Sequence, residues 1–145
     1  MSQDQTPYER IGGEAAVREL VDRFYNLMDQ QQEAKKIRDL HAKSLKISRE
    51  KLFLFLSGWL GGPDLYVQKY GHPRLRARHL PFSIGIEERD QWIYCMRKAL
   101  SVMDLDAKLQ EELNQSFFRT ADFMRNRDEE VQDTPFRIIS SGKNQ

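Results

Sequence analysis

The histidine in Arg74-Leu75-Arg76-Ala77-Arg78-His79-Leu80-Pro81-Phe82 has more chemistry to offer than any other side chain in these 145 residues. A neutral imidazole is a good ligand for iron, and cationic neighbours offset the carboxylates of an anionic cofactor. Arg74, Arg76 and Arg78 alternate through the segment, an odd choice for a solvated helix face and a useful one for holding carboxylates. Pro73 and Pro81 flank it, so a short helix there would be held at a fixed angle. Two polar-tipped aromatics, Tyr25 and Trp92, sit on apolar stripes elsewhere. A buried phenol or indole needs a hydrogen-bond partner, and a polar ligand on iron would satisfy both. The expectation is a haem-type pocket, with His79 below the iron and Tyr25 and Trp92 above it.

Each of these residues also has a plainer reading. A lone histidine in a helical protein is commonly a surface or structural residue. Tyr25 reads equally well as a core tyrosine bonded to a backbone carbonyl, and Trp92 as a packing residue. Spacing alone leaves both readings open. His72, in Gly71-His72-Pro73, reads as a turn residue, and His41, before Ala42-Lys43-Ser44, as an exposed helix end. The three histidines lack zinc-type spacing, and Cys95 has no nearby Cys or His partner, so a structural zinc site is not expected. Neither a phosphate-binding glycine loop nor a nucleophile motif is present.

Helical periodicity must position these groups. Val17, Leu20, Val21, Phe24 and Met28 recur at three- and four-residue steps, predicting an amphipathic helix over residues 13–30 with Tyr25 on its inward stripe. A short helical piece is expected over 33–40, ending near His41. Ser48 is the expected cap before Leu52-Phe53-Leu54-Phe55-Leu56, a run apolar on nearly all sides and so expected to be buried. Gly61-Gly62-Pro63 stops that helix. Residues 63–84 read as loop and short helix. Beyond Gly85, Trp92, Met96, Ala99 and Met103 share a face, with Ile93 and Leu100 beside them. A last helix is expected over 107–127, with Leu109, Leu113, Phe117 and Met124 inward. Strand alternation and internal repeats are absent, so the chain reads as all-α. The division is one domain over 1–127 and a charged tail over 128–145, expected to be loosely held.

Composition removes several classes. The formal net charge is +1, which gives no global electrostatic case for nucleic acid or a membrane surface. The longest uncharged run, residues 52–63, is too short for a membrane span of about 20 residues. The N-terminus lacks the apolar stretch of a secretory signal, and a single cysteine fits a reducing compartment, so the expected location is cytoplasmic. The length is that of one domain.

An ordered set of short motifs carries a family resemblance over residues 8–127. It comprises Ile11-Gly12-Gly13, Arg23-Phe24-Tyr25, Gly61-Gly62-Pro63, Tyr70-Gly71-His72-Pro73, Arg76-Ala77-Arg78-His79, Pro81-Phe82 and Glu88-Arg89-Asp90-Gln91-Trp92. In these the chain resembles the truncated haemoglobins, specifically group II. The resemblance implies a two-over-two helical sandwich around haem b (iron protoporphyrin IX), with glycine pairs as hinges. His79 would then be the proximal ligand, Tyr25 the distal tyrosine and Trp92 the distal tryptophan that marks group II. By the same register His41, Ser48, Leu52, Phe55 and Leu56 line the distal side, and the usual distal histidine is Ser48 here. Tyr66 and Arg78 are candidates to hold the haem propionates, and Phe82 is a further cofactor-binding candidate.

The chemistry so implied is reversible binding of dioxygen, or another diatomic gas, at ferrous iron. Two donors each contributing on the order of 1–3 kcal/mol would slow oxygen release about a hundredfold or more. That favours storage, sensing or redox chemistry over delivery. An enzyme reading, nitric oxide dioxygenation or peroxide-driven oxidation, uses the same pocket and needs electrons from an external reductase. Carbon monoxide would also enter the site. The expected assembly is a monomer or weak homodimer. The rival outside haem chemistry is a helical regulatory module with a globin-like fold, which has no need for His79, Tyr25 and Trp92 together.

Overall fold

The computed structural model describes residues 5–127, and among these all regular structure is helical. The helices are α1 (Pro7–Ile11), α2 (Gly13–Gln30), α3 (Lys35–Asp39), α4 (Lys46–Trp59), α5 (Leu65–Tyr70), α6 (Leu75–His79), α7 (Ile86–Ser101) and α8 (Ala107–Phe123). A 3₁₀ turn, Gln32–Ala34, leads into α3. The core is built by α2 against α4 and α7, and by α7 against α8, two layers of two long helices. Val17, Leu20, Val21, Phe24 and Met28 of α2 meet Ile93, Met96, Ala99 and Leu100 of α7 and Leu109, Leu113 and Phe117 of α8 in one cluster. Among the described residues, Glu88 and Ser57 are the buried polar ones; the Ser57 hydroxyl donates to the Pro63 carbonyl at 2.6 Å. None of the described helices is long and apolar enough to cross a membrane.

Local chemistry sets several boundaries. Thr6 and Glu9 form a reciprocal capping box at the start of α1, with Pro7 at its first position. Asp106 caps α8 by accepting from the Leu109 N–H at 2.7 Å. Gly61 and Gly62 do more than end α4. The Tyr8 N–H donates to the Leu60 carbonyl at 2.8 Å, so α1 crosses directly over this corner. A methyl group at Gly61 would sit 2.9 Å from Thr6 Cβ, and one at Gly62 only 2.5 Å from the Tyr8 ring. The Gly62→Ala substitution should therefore cost about 1–3 kcal/mol by displacing Tyr8. Urea unfolding of the variant against the parent chain measures it, and an unchanged midpoint would mean that the crossing yields freely.

Three sequence expectations need correction. Ser48 does not cap α4; the helix starts at Lys46 with Leu45 at the cap, and Ser48 lies inside the first turn. The apolar run of α4 is not enclosed on all sides: Phe53, Leu54 and Leu56 are buried, while Leu52 and Phe55 are half-buried. The last helix ends at Phe123 rather than at 127, because Asn126 leaves the helix to bond the backbone of Ile84. The proposed tail, 128–145, lies outside the described residues.

Candidate functional site

The segment expected to be proximal, α6, is a five-residue helix with no buried side chain of its own. Arg74, before its first residue, takes a left-handed backbone (φ 49°), and its N–H donates to the His72 Nδ1 at 3.1 Å. His72 is thus a turn residue, as the Gly-His-Pro context suggests. His79 ends the helix half-buried, its Nδ1 lying 2.7 Å from the Leu75 carbonyl one turn back. A carbonyl can only accept, so Nδ1 carries the proton and Nε2 keeps its lone pair for a metal.

His41 is built the same way, its Nδ1 donating to the Ile37 carbonyl at 2.7 Å. It is half-buried, not exposed as its place after a helix suggested. The Gln91 side-chain oxygen accepts from the Ile37 N–H at 3.2 Å and ties α3 to α7. Arg38 wraps the following loop, donating to the carbonyls of Ala42 and Lys43 and to Asp29. Burial chiefly holds the His41 imidazole below its ordinary 6.5, opposed by the Ile37 carbonyl and helped by the positive charge of Arg38. The sign of the pH effect follows from that depression. The unfolded chain takes up a proton at His41 before the fold does, so this stability is present above pH 6.5 and is lost as the pH falls below it. His41→Phe should lose less stability than the parent chain between pH 7 and 5 in thermal melts, and parallel curves would exclude this role.

Tyr25 is 6% exposed, and its ring stands edge-on to His41 at 5.8 Å. Burial drives its phenol far above the ordinary range, partly offset by the Arg49 guanidinium 5.9 Å from the ring, so it remains a protonated donor. Phe24 joins it to Trp92, with ring centroids 4.9 Å apart on each side. Trp92 leans in turn on Phe117 at 5.8 Å. Neither the Tyr25 hydroxyl nor the Trp92 indole N–H has a protein hydrogen-bond partner among the described residues.

Along α4, Ser48, Leu52 and Phe55 share a half-buried face at helical spacing, and Leu56 is buried beside it. Trp59 extends that face and stacks on Phe117 at 4.7 Å; its apolar spacing from Phe55 is the signal that could have found it. Tyr66 is buried, 6.3 Å from Phe55 and 5.0 Å from Tyr70. Arg78 is exposed with its Nε donating to the Pro73 carbonyl at 2.8 Å, and Phe82 is 42% exposed just past α6. Beside α6 a cavity of about 650 Å³ is lined by Trp59, Leu60, Leu75, Leu113 and Phe123, among others. Another depression of about 520 Å³, between α2 and α4, is charged, and its Arg18, Arg38 and Arg49 are all paired with acids. Cys95 is fully buried, and its thiol is pushed up to about 11 by burial, so it supplies neither nucleophile nor thiolate ligand. Among the described residues no group of three His, Cys, Asp or Glu side chains could chelate a metal.

Residues 6–126 match the model of the bacterial-like globin family. The chain belongs to the group II truncated haemoglobin family. Its fold superposes on the group II 2-on-2 haemoglobin of Agrobacterium tumefaciens with a TM-score of 0.84 at 45% identity, covering 88% of this chain and 100% of that one. The cold-adapted truncated haemoglobin of the Antarctic marine bacterium Pseudoalteromonas haloplanktis TAC125 gives 0.83 at 49% identity, over 85% and 99% of the two chains. A truncated oxygen-avid haemoglobin from Bacillus subtilis gives 0.76 at 39% identity, over 84% and 100%. The two layers of long helices are thus the two-over-two sandwich of the truncated haemoglobins.

Proposed function

We propose that this truncated haemoglobin holds haem b through His79 and binds dioxygen reversibly with slow release. One observation carries the reading: a half-buried imidazole with its Nδ1 proton fixed and its Nε2 lone pair free, in a fold whose Tyr25 and Trp92 donors lack protein partners. The residues present fit the group. Leu80 and Phe82, 57% and 42% exposed, offer apolar surface beside His79 that a porphyrin would cover. When bound, the haem iron supplies a coordination site for a diatomic gas and the capacity for redox change.

The remaining work falls to the chain. The Leu75 carbonyl orients His79 by accepting a hydrogen bond from its Nδ1–H, which leaves Nε2 to face the metal. Tyr25 and Trp92 are donors for a polarised ligand, and they discriminate against carbon monoxide, which is less polar. His41, kept neutral by burial, is a further distal group able to donate, accept or approach the metal. Ser48, Leu52, Phe55 and Leu56 form the distal wall and exclude water. Tyr66, Arg78 and Phe82 are assigned to the cofactor's edge, Arg78 for the propionates. The likeness to an oxygen-avid relative supports the slow-release part of the reading. Nitric oxide, carbon monoxide and peroxide are the other small molecules such a pocket admits, and turnover with them calls for an external reductase. Titrating the purified chain with hemin tests the proposal. A Soret band saturating at one equivalent is expected; a chain that stays colourless would instead be a helical module of globin-like fold.

A further inference from the structure

None of the five residues of the helix that presents His79 is fully buried, Leu75 being half-buried, and a helix this short does not persist unaided. Its polar attachments come from the end of α8 and the chain just beyond it. The Asn126 carboxamide donates from Nδ2 to the His79 carbonyl at 3.3 Å and to the Phe82 carbonyl at 2.7 Å. Its Oδ1 accepts from the Ile84 N–H at 2.9 Å, and its own backbone N–H donates to the Ile84 carbonyl at 2.8 Å. One side chain thus gathers three points of the 79–84 reversal. Arg76 Nη1 completes the attachment by donating to the carbonyls of Phe123 and Arg125, at 2.5 and 2.8 Å.

We propose that Asn126 is a positioning residue for the proximal ligand: by holding the His79 carbonyl and the turn after it, the carboxamide fixes the rotation of α6 and so the direction of Nε2. The inference rests on the haem reading for its consequence and on this geometry for its substance. The imidazole is already locked to its own helix through Leu75, so the remaining freedom is rotation or slippage of the whole helix. Asn126 removes it by reference to a rigid frame. α8 is anchored in the core by Leu113 and Phe117, and Asp122 joins Arg89 and Arg125 at 2.8 and 2.7 Å. Asparagine is the residue for this task because it alone, at this length, offers two donors and an acceptor without charge.

The full chain tests the proposal as Asn126→Ala, and as Asn126→Asp, which keeps the acceptor for Ile84 but loses both donors. Gly62→Ala, which presses on Tyr8 and not on the 79–84 segment, serves as the control for a general loss of stability. In the haem-free proteins, amide exchange at Phe82 and Ile84 is expected to quicken about tenfold in Asn126→Ala, with the α7 interior unchanged. In the haem-loaded proteins, the ferrous iron–histidine stretching band should shift or broaden in both Asn126 variants, and haem transfer to apomyoglobin should quicken by about 10- to 100-fold. Gly62→Ala should leave the band in place. Parental exchange rates and an unmoved band in the Asn126 variants, or the same changes in the control, would overturn the proposal. A parent chain that takes up no haem would sink the haem reading alone, and the exchange measurement would still decide whether Asn126 holds the segment.

Discussion

His79→Gly is expected to fold and to lose its haem at least about a hundredfold faster than the parent chain. The half-buried imidazole contributes little to the core, so the helical circular dichroism should be retained. The expected loss is in cofactor retention, because every 1.4 kcal/mol removed from the metal–imidazole bond is a factor of ten. Free imidazole added at millimolar concentration should enter the space left by the side chain and restore a parental ferrous spectrum. Haem transfer to excess apomyoglobin, followed in the Soret region with and without imidazole, measures both. Unaltered spectra and retention in His79→Gly would remove this histidine from the metal and leave the assignment of the proximal side without support.

Trp92→Phe is expected to speed oxygen dissociation about tenfold or more, and Tyr25→Phe with Trp92→Phe about a hundredfold. The substitutions keep the aromatic packing with Phe24 and Phe117 while deleting the indole N–H and the phenolic hydroxyl. Both donors are reliable across the working pH range, since burial keeps the Tyr25 phenol protonated and an indole N–H does not titrate. Stopped-flow release of oxygen into a carbon monoxide solution gives the rates. The four proteins together form a double-mutant cycle, which separates the two donors from their coupling through Phe24. Rates unchanged in the double variant would exclude hydrogen bonding as the cause of slow release. A fast single and an unaffected partner would assign the effect to one donor.

How far the site was legible follows from the range of the interactions involved. His79, Tyr25 and Trp92 stand out by residue type, and their short motifs carry the family's pattern. The surroundings of His41 did not stand out. Its position after a short helix reads as exposed, whereas Gln91 and Arg38 fold the segment inward through bonds to backbone atoms, which any residue type can supply. Ser48 misleads for the opposite reason: a serine before an apolar run resembles a cap, but Leu45 already occupies that place.

The long helices follow from the order of residues alone. The period of Val17, Leu20, Val21, Phe24 and Met28 has one solution that buries them together, and glycine and proline at 61–63 end α4 wherever it packs. How the helix bearing His79 is held could be seen only in the folded chain. Asn126 is one polar residue among many near the end of α8, and its partners are carbonyls and an N–H some forty residues away, which leave no periodic trace. Apolar periodicity records which face of a helix avoids water, and that is a local property. Where a helix without a buried face comes to rest is set by directional bonds across the fold, and those exist only once the chain has brought both ends together.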